Sequence, residues 1–250
     1  MTQVDDHFRL EELRLVVACM GAPPRLAEGT QRHLKEGLAR RILMIQASRF
    51  RILETASANR IGVLPGGETV EINLHLNAYY FQLRGALDNA AWALHYQYSL
   101  LGTVDEDDRK ARRQCDLFAD GFIDALNAVL PAVAENLRSE KTWAADLKSL
   151  RDPVAHRIPL YAVPGVASPA EAAEFSERRN EMLSAVQSGD ASGALSKIVE
   201  ADRIGRYRPI FGQSGPQGTE VREIGPQIER DHSSFLRVTR HVIDGLIHAV

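Results

Sequence analysis

Apolar residues recur every three to five positions along the first two fifths of the chain, a spacing typical of amphipathic helices. The first stripe predicts a long helix, and its members are Leu34, Leu38, Ile42, Ile45, Phe50 and Leu53. The turn around Pro65-Gly66-Gly67 ends that helix. A second stripe predicts a helix over about 70–101, with Leu76, Tyr80, Leu83, Leu87, Ala90 and Leu94. Shorter helices are expected near 117–129, 131–138 and 141–150.

The pattern changes after Pro159, where prolines and glycines interrupt the apolar spacing. Ser168 and Pro169 predict the cap and first residue of a polar helix that runs to about Gln187. The stretch 202–225 is the least helical part of the chain.

Within that stretch, 207–211 and 220–224 are candidates for two short paired strands. A last amphipathic helix is expected to begin at Ser233 or Ser234 and to use apolar positions up to Leu246. We therefore predict a mainly α fold, with residues 1–250 as one domain and 160–225 as an irregular insertion that has room for a short β-hairpin.

Composition places the chain among ordinary globular proteins. It has 250 residues, of which 44% are hydrophobic and 25% charged, and this excludes disordered, collagenous and low-complexity classes. Two cysteines exclude a disulfide framework and a four-cysteine zinc site, and they favour a reducing compartment. Without a signal peptide or an apolar run near ~20 residues, we expect a cytoplasmic protein with no membrane segment. A net charge of −3 means that a polyanion would need a local basic patch.

The common cofactor and metal motifs are missing. The sequence has no GxGxxG, GxxxxGK[ST], HExxH, CxxC or GxSxG motif, so we predict neither a cofactor nor a metal ion. A single ExxH pair runs from Glu229 to His232, and we interpret it as solvated charge before the last helix.

The segment around Arg151 carries the most distinctive chemistry. Asp152 and Pro153 are typical of a helix cap and first helical residue. Arg151 would then precede a helix start and His156 would lie about one turn into it. Because free N–H groups at a helix N-terminus favour anions, the predicted ligand there is a phosphodiester.

Such a pair can support RNA cleavage without a metal. His156 can take the proton of a 2′-hydroxyl or give one to the leaving oxygen, and Arg151 can hold the phosphate. Arg157 is a candidate second phosphate contact or a solvent-facing residue, and Asp152 either orients the pair or caps the helix. The alternative is structural, with Arg151 and Asp152 forming a local ion pair at a helix junction.

Other polar positions could complete a binding cleft. Asn77, Arg84, Asp88 and His95 share one face of the second long helix, and Arg84 can pair with Asp88 across one turn. That face would line the cleft or form a buried polar network. Arginines at 40, 41, 49 and 51 and the basic run 109–113 are candidate phosphate contacts, with solvated helix faces as the alternative.

The segment from Arg151 to His156 resembles the R-x4-6-H motif of the HEPN superfamily, with a polar residue directly after the arginine. The helix around 79–89 is similar to those that precede the motif in HEPN-like bacterial proteins. The resemblance covers about 30–160 and the last helix. It implies an up-and-down all-α bundle that forms a homodimer so that two motifs share a cleft. It also implies a metal-independent endoribonuclease of toxin–antitoxin or defence systems, with Arg151 and His156 catalytic and an antitoxin or other protein as partner.

Two features depart from the family pattern. Pro159 follows His156 closely, which would limit the motif helix to a single turn, and the segment 160–225 exceeds a minimal HEPN domain. The alternative function is a non-catalytic helical binding or adaptor protein in which Arg151 and His156 are structural.

Overall fold

A computed structural model of the chain describes residues 3–57, 60, 63–104, 106–156, 158–215 and 218–248. It is mainly helical with a small antiparallel sheet, which confirms the prediction of a mainly α fold with a short β-hairpin. The helices are α1 (Gln3–Met20), α2 (Glu28–Arg32), a π-helix (His33–Leu38), α3 (Ala39–Thr55), α4 (Gly66–Tyr98), α5 (Arg109–Gln114), α6 (Asp120–Asn127), α7 (Pro131–Ser139), α8 (Lys141–His156), α9 (Pro169–Gln187), α10 (Ala191–Ala201) and α11 (Ile224–His248). The strands are β1 (Tyr161–Ala162), β2 (Ile210–Gly215) and β3 (Gly218–Glu223).

Most members of the two apolar stripes predicted in the first half of the chain are buried in the core, but Phe50 of the first stripe is 49% exposed, so its assignment to the buried face is wrong. Leu34, Leu38 and Ile42 on the first stripe are fully buried, as are Tyr80 and Leu83 on the second. Full burial of an aliphatic side chain of this size contributes about 1.5–3 kcal/mol. Hydrophobic spacing therefore accounts for helical structure over 33–55 and for α4, but it does not predict the π geometry of His33–Leu38.

The chain folds into two compact units. The first combines Met1–Phe50, Asn77–Arg157 and Pro226–Val250, and it holds the predicted motif. The second combines Arg51–Leu76 with Ile158–Gly225, so the predicted insertion 160–225 lies within it.

The second unit contains the sheet, in the order β1-β2-β3. Strands β2 and β3 pair antiparallel with Phe211 opposite Arg222, and the Phe211 side chain is fully buried. Helix α9 begins as predicted at Pro169, because Ser168 and Glu171 form a reciprocal capping box.

The prediction of a helix start at Asp152 and Pro153 is wrong. Both residues lie inside α8, which continues through Pro153 to His156. A proline in a helix interior loses a hydrogen bond, but the Pro153 side chain is buried and only the last turn lies beyond it. Arg151 therefore belongs to the C-terminal half of a 16-residue helix, and neither a helix N-terminus nor a single-turn helix is present there.

The predicted start of the last helix at Ser233 or Ser234 is also wrong. Helix α11 begins at Ile224, nine residues before Ser233. Pro226 falls in its first turn, where the missing N–H costs nothing. The Ser233 hydroxyl donates to the Glu229 carbonyl within the helix instead of capping it.

Candidate functional site

The first unit contains a cavity of about 490 Å³, which we call the cationic pocket. This volume is in the range of small-molecule sites. The pocket is lined by Arg84, Asp88, Trp92, Arg112, Arg113, Cys115, Asp116, Lys148, Arg151 and Asp152. Five of these residues carry a positive side chain and three a carboxylate, so the lining has a cationic excess.

Helix α8 contributes one wall of the cationic pocket. Its core face is apolar, with Leu147 and Leu150 buried. Lys148, Arg151 and Asp152 occupy positions i, i+3 and i+4 and therefore share the pocket face. Arg151 Nη1 lies 3.3 Å from Asp152 Oδ1, so these two side chains are already paired.

Helix α4 contributes a second wall, in which charges of both signs are paired. Arg84 Nε lies 3.1 Å from Asp88 Oδ1, as predicted for an i,i+4 pair. Arg84 Nη2 also donates to Asp116 Oδ2 at 2.8 Å. Asp116 is held from a second side because its Oδ1 accepts a hydrogen bond from the Phe118 N–H at 3.0 Å. These contacts fix the guanidinium and both carboxylates in the pocket wall.

Helix α5 adds two arginines. Its start is capped by Asp108, whose side chain accepts from the N–H groups of Lys110 and Ala111, and Arg112 and Arg113 fall in the last turn. Arg112, Arg113 and Lys148 are exposed. Among the residues that the structure describes, none of the three lies within ion-pair distance of a carboxylate. They are the cations that an anionic ligand can pair with.

Burial and neighbouring charges shift the pKa values of three side chains in the pocket. Burial raises the pKa of Asp88, although Arg84 opposes the shift. Burial also acts to raise the pKa of Asp116, but the charge and hydrogen bond of Arg84 outweigh it and lower that pKa. Burial raises the pKa of the Cys115 thiol, which therefore stays protonated at neutral pH and is no nucleophile.

Four predicted site residues meet in this pocket: Arg151, Asp152, Arg84 and Asp88. Asn77 does not line it. The basic run 109–113 contributes Arg112 and Arg113, whereas arginines 40 and 41 line a different cavity and 49 and 51 line neither.

Of the remaining predicted residues, His156 and Arg157 lie partly or wholly outside the described residues, whereas His95 is fully described. The backbone of His156 belongs to α8, one turn after Asp152, but its side chain lies outside the described residues, and so does the whole of Arg157. His95 is buried, with Nε2 at 3.0 Å from the Val104 carbonyl oxygen and Nδ1 accepting from the Leu101 N–H. It therefore belongs to the core.

The interpretation of Glu229–His232 as solvated charge before the last helix is wrong in part. Glu229 and Arg230 are exposed, but all four residues lie within α11, and Asp231 and His232 are fully buried. Asp231 accepts hydrogen bonds from Tyr80 Oη at 2.9 Å, Gln227 Nε2 at 2.8 Å and Trp143 Nε1 at 3.2 Å. His232 Nε2 lies 2.9 Å from Glu12 Oε1. Sequence reasoning missed this polar cluster because its members come from four helices.

Among the described residues, no three His, Cys, Asp or Glu side chains are grouped so that they could hold a metal ion. None of the described helices combines the length and the apolar character that a membrane crossing requires. Comparison with protein-family models, with curated proteins and with solved structures finds no match to the chain.

Proposed function

We propose that the cationic pocket binds the phosphate backbone of RNA and that the protein is a metal-independent endoribonuclease. The observation that carries the proposal is the convergence of Arg151 and Asp152 of the R-x4-6-H segment with the free cations Arg112, Arg113 and Lys148. A pocket with this excess of positive charge selects anions. The resemblance to the HEPN superfamily supports RNA as the anion.

Binding requires cations that are not already neutralised within the protein. Arg112, Arg113 and Lys148 meet this condition and can each contact a phosphate oxygen. Arg84 is engaged by Asp88 and Asp116, so its role is to hold the wall in place. Arg151 shares its charge with Asp152 and can exchange that contact for a phosphate without leaving the pocket.

Cleavage follows the ordinary chemistry of the RNA 2′-hydroxyl. The 2′-oxygen attacks the neighbouring phosphorus as its proton passes to a base, and the bond from phosphorus to the 5′-oxygen breaks as that oxygen takes a proton. The products are a 2′,3′-cyclic phosphate and a 5′-hydroxyl. We assign proton transfer to His156, on the basis of the motif resemblance and its backbone position one turn after Asp152. Arg151 stabilises the charge that develops on the phosphate.

The family resemblance extends the proposal to partners. It implies a homodimer in which two motifs face one cleft, and an antitoxin or other protein that restrains the activity.

One contact favours a second candidate function. The 3.3 Å ion pair between Arg151 and Asp152 lies within one chain and fits a non-catalytic helical binding protein in which the motif is structural. The two functions differ in their requirement for His156, because only catalysis needs its proton transfer.

The test compares the wild type with His156→Ala on a defined RNA in EDTA, after thermal unfolding has shown that both are folded. The matched control is His241→Ala, which removes an exposed histidine of α11. We expect cleavage by the wild type and the control and its loss in His156→Ala. Equal cleavage by all three proteins, or none by the wild type, would contradict the proposal.

A further inference from the structure

A second cavity, of about 500 Å³, lies in the first unit between the π-helix with α3 on one side and α4 on the other. We call it the α3–α4 groove. Its chemistry differs from that of the cationic pocket because it combines arginines with apolar groups and amides, and Glu36 is the only carboxylate in its lining. The residues used below are Arg40, Arg41, Met44, Phe81, Gln82 and Asn89. Met44 is 49% exposed and Phe81 is 42% exposed.

The walls of the groove are built to fixed positions. A Cβ atom on Gly37 would clash with the Asn89 amide, and one on Gly85 would clash with the Arg41 guanidinium. Asn89 Nδ2 donates to the Gly85 carbonyl at 2.7 Å, and its Oδ1 lies 3.1 Å from His33 Nδ1. The glycines therefore allow polar side chains to lie directly against the helix backbones.

The groove also has an unusual backbone. Its α3 side begins with the π-helix from His33 to Leu38. This geometry is rare in proteins, and where it occurs it is often at a functional site. His33 and Gly37, both in that segment, line the groove.

Three kinds of contact are available to a ligand here. Glu36 lines the same groove one turn before Arg40, but among the described residues no carboxylate lies within ion-pair distance of Arg40, so its charge can meet an anion. Arg41 Nη1 donates to Gln82 Oε1 at 2.6 Å, which leaves the Gln82 Nε2 amide hydrogens for another acceptor. The exposed Phe81 ring offers a stacking surface, and base–aromatic stacking tolerates any base.

The groove and the cationic pocket flank the same turns of α4. Asp88 lines the pocket while the next residue, Asn89, lines the groove. Burial raises the pKa of Asp88, and the positive charge of Arg41 acts to lower it. The His33 ring stacks on Trp92 of the pocket, with ring centroids 6.3 Å apart. The two cavities therefore share α4 as a common wall.

We propose that the α3–α4 groove binds one nucleotide unit, with its phosphate on Arg40, its base against Phe81 and a base edge on Gln82. If the bound nucleotide is part of an RNA strand that also occupies the cationic pocket, this proposal rests on the proposed function. The same chemistry would also hold a free nucleoside monophosphate.

The test measures binding of a fluorescein-labelled RNA oligonucleotide to the full chain in EDTA by anisotropy, with His156→Ala in every protein to prevent cleavage. Arg40→Gln and Phe81→Ala are compared with Arg179→Gln, which changes an exposed arginine of α9 in the second unit. We expect each groove variant to bind at least about fivefold more weakly, whereas the control is unchanged. Equilibrium dialysis with labelled AMP then distinguishes a free nucleotide from a nucleotide of an RNA strand. AMP binding that is lost in Arg40→Gln identifies a free nucleotide as the ligand. RNA binding without AMP binding identifies a strand.

A further variant, Lys148→Gln, changes the cationic pocket. It distinguishes failure of the groove proposal from failure of the proposed function. If Lys148→Gln weakens RNA binding while both groove variants bind RNA and AMP as the starting protein does, the groove proposal is overturned and the pocket stands. If no variant changes binding, or if neither RNA nor AMP binds, both proposals are overturned.

Discussion

Arg84 donates a hydrogen bond to Asp116 at 2.8 Å and thereby joins α4 to the turn that follows α5, inside the cationic pocket. The same guanidinium lies 3.1 Å from Asp88 on its own helix. One side chain therefore serves two carboxylates, and the wall that carries Asp88 is held to the segment that presents Arg112 and Arg113. We therefore expect a change at Arg84 to affect both the stability of the fold and the proposed phosphate binding.

Replacing Arg84 by methionine should lower both properties. The Arg84 side chain is only 17% exposed, and its loss leaves two partly buried carboxylates unpaired, so we expect the free energy of unfolding to fall by about 1–3 kcal/mol. Urea denaturation measures this loss. Arg138→Met is the matched control, because Arg138 is 38% exposed and its partner Asp124 is 75% exposed, and it should cost less than about 1 kcal/mol. Equal losses in the two variants would show that the Arg84 contacts contribute nothing special.

Salt should weaken RNA binding, and the binding constant should fall more steeply with salt when more phosphates are contacted. For single strands the slope of log K against log salt is about −0.7 per contact. Lys148→Gln should therefore reduce the steepness of the slope by about 0.7, since it removes one free cation of the pocket. Anisotropy titrations between roughly 50 and 200 mM salt, the range in which such contacts dominate, measure the slope. An unchanged slope would mean that Lys148 contacts no phosphate.

The buried carboxylate of Asp231 should be among the most important polar groups for folding. Asp231→Ala removes an acceptor that Tyr80, Trp143 and Gln227 share. Because a buried donor left unsatisfied costs about 1–3 kcal/mol, the free energy of unfolding should drop by at least about 1 kcal/mol. Asp244→Ala on the exposed face of α11 should change it by less than about 0.5 kcal/mol. A drop of similar size in both variants would contradict this explanation.

Stability should fall when the pH drops below 6.5, the ordinary pKa of histidine. Burial lowers the pKa of His232 from that value, although Glu12 opposes the shift, and burial lowers the pKa of His33 as well. Well above the ordinary pKa these histidines are neutral in the folded and the unfolded chain. Below it the unfolded chain takes up protons more readily, so the free energy of unfolding decreases until the folded pKa is reached.

Urea denaturation about one pH unit above and one below the ordinary histidine pKa checks this sign. Asp88 and Asp231 have raised pKa values and act in the opposite direction, so the comparison with a variant isolates the histidine. On going to the lower pH, the free energy of unfolding should therefore decrease less in His232→Gln than in the wild type, or should increase. The same pH dependence in both proteins would show that His232 takes up protons equally in the folded and the unfolded chain.

The fold was predictable wherever one helix face carries the signal. Helix α4 follows from its apolar stripe, and α9 follows from Ser168 and Pro169. The error at Pro153 arose because local preference favours a helix start there, whereas the buried proline ring is part of the packed core. Tertiary packing decided that position, and it is invisible in the local sequence.

The site was predictable only in part. Arg151, Asp152, Arg84 and Asp88 were chosen from spacing, and they line one pocket. The α3–α4 groove was not predicted, because its arginines fit a solvated helix face equally well. The burial of Asp231 was missed because its three donors lie on α4, α8 and α11, and no local spacing brings those helices together.

The proposed endoribonuclease cleaves RNA through its 2′-hydroxyl without a metal ion. The most direct measurement incubates the protein in EDTA with one RNA oligonucleotide and with the same oligonucleotide made entirely of 2′-deoxy sugars, and analyses the products by mass spectrometry. We predict RNA fragments that end in a 2′,3′-cyclic phosphate and a 5′-hydroxyl, and an intact deoxy strand. RNA that stays intact, or cleavage of both strands, would contradict the account.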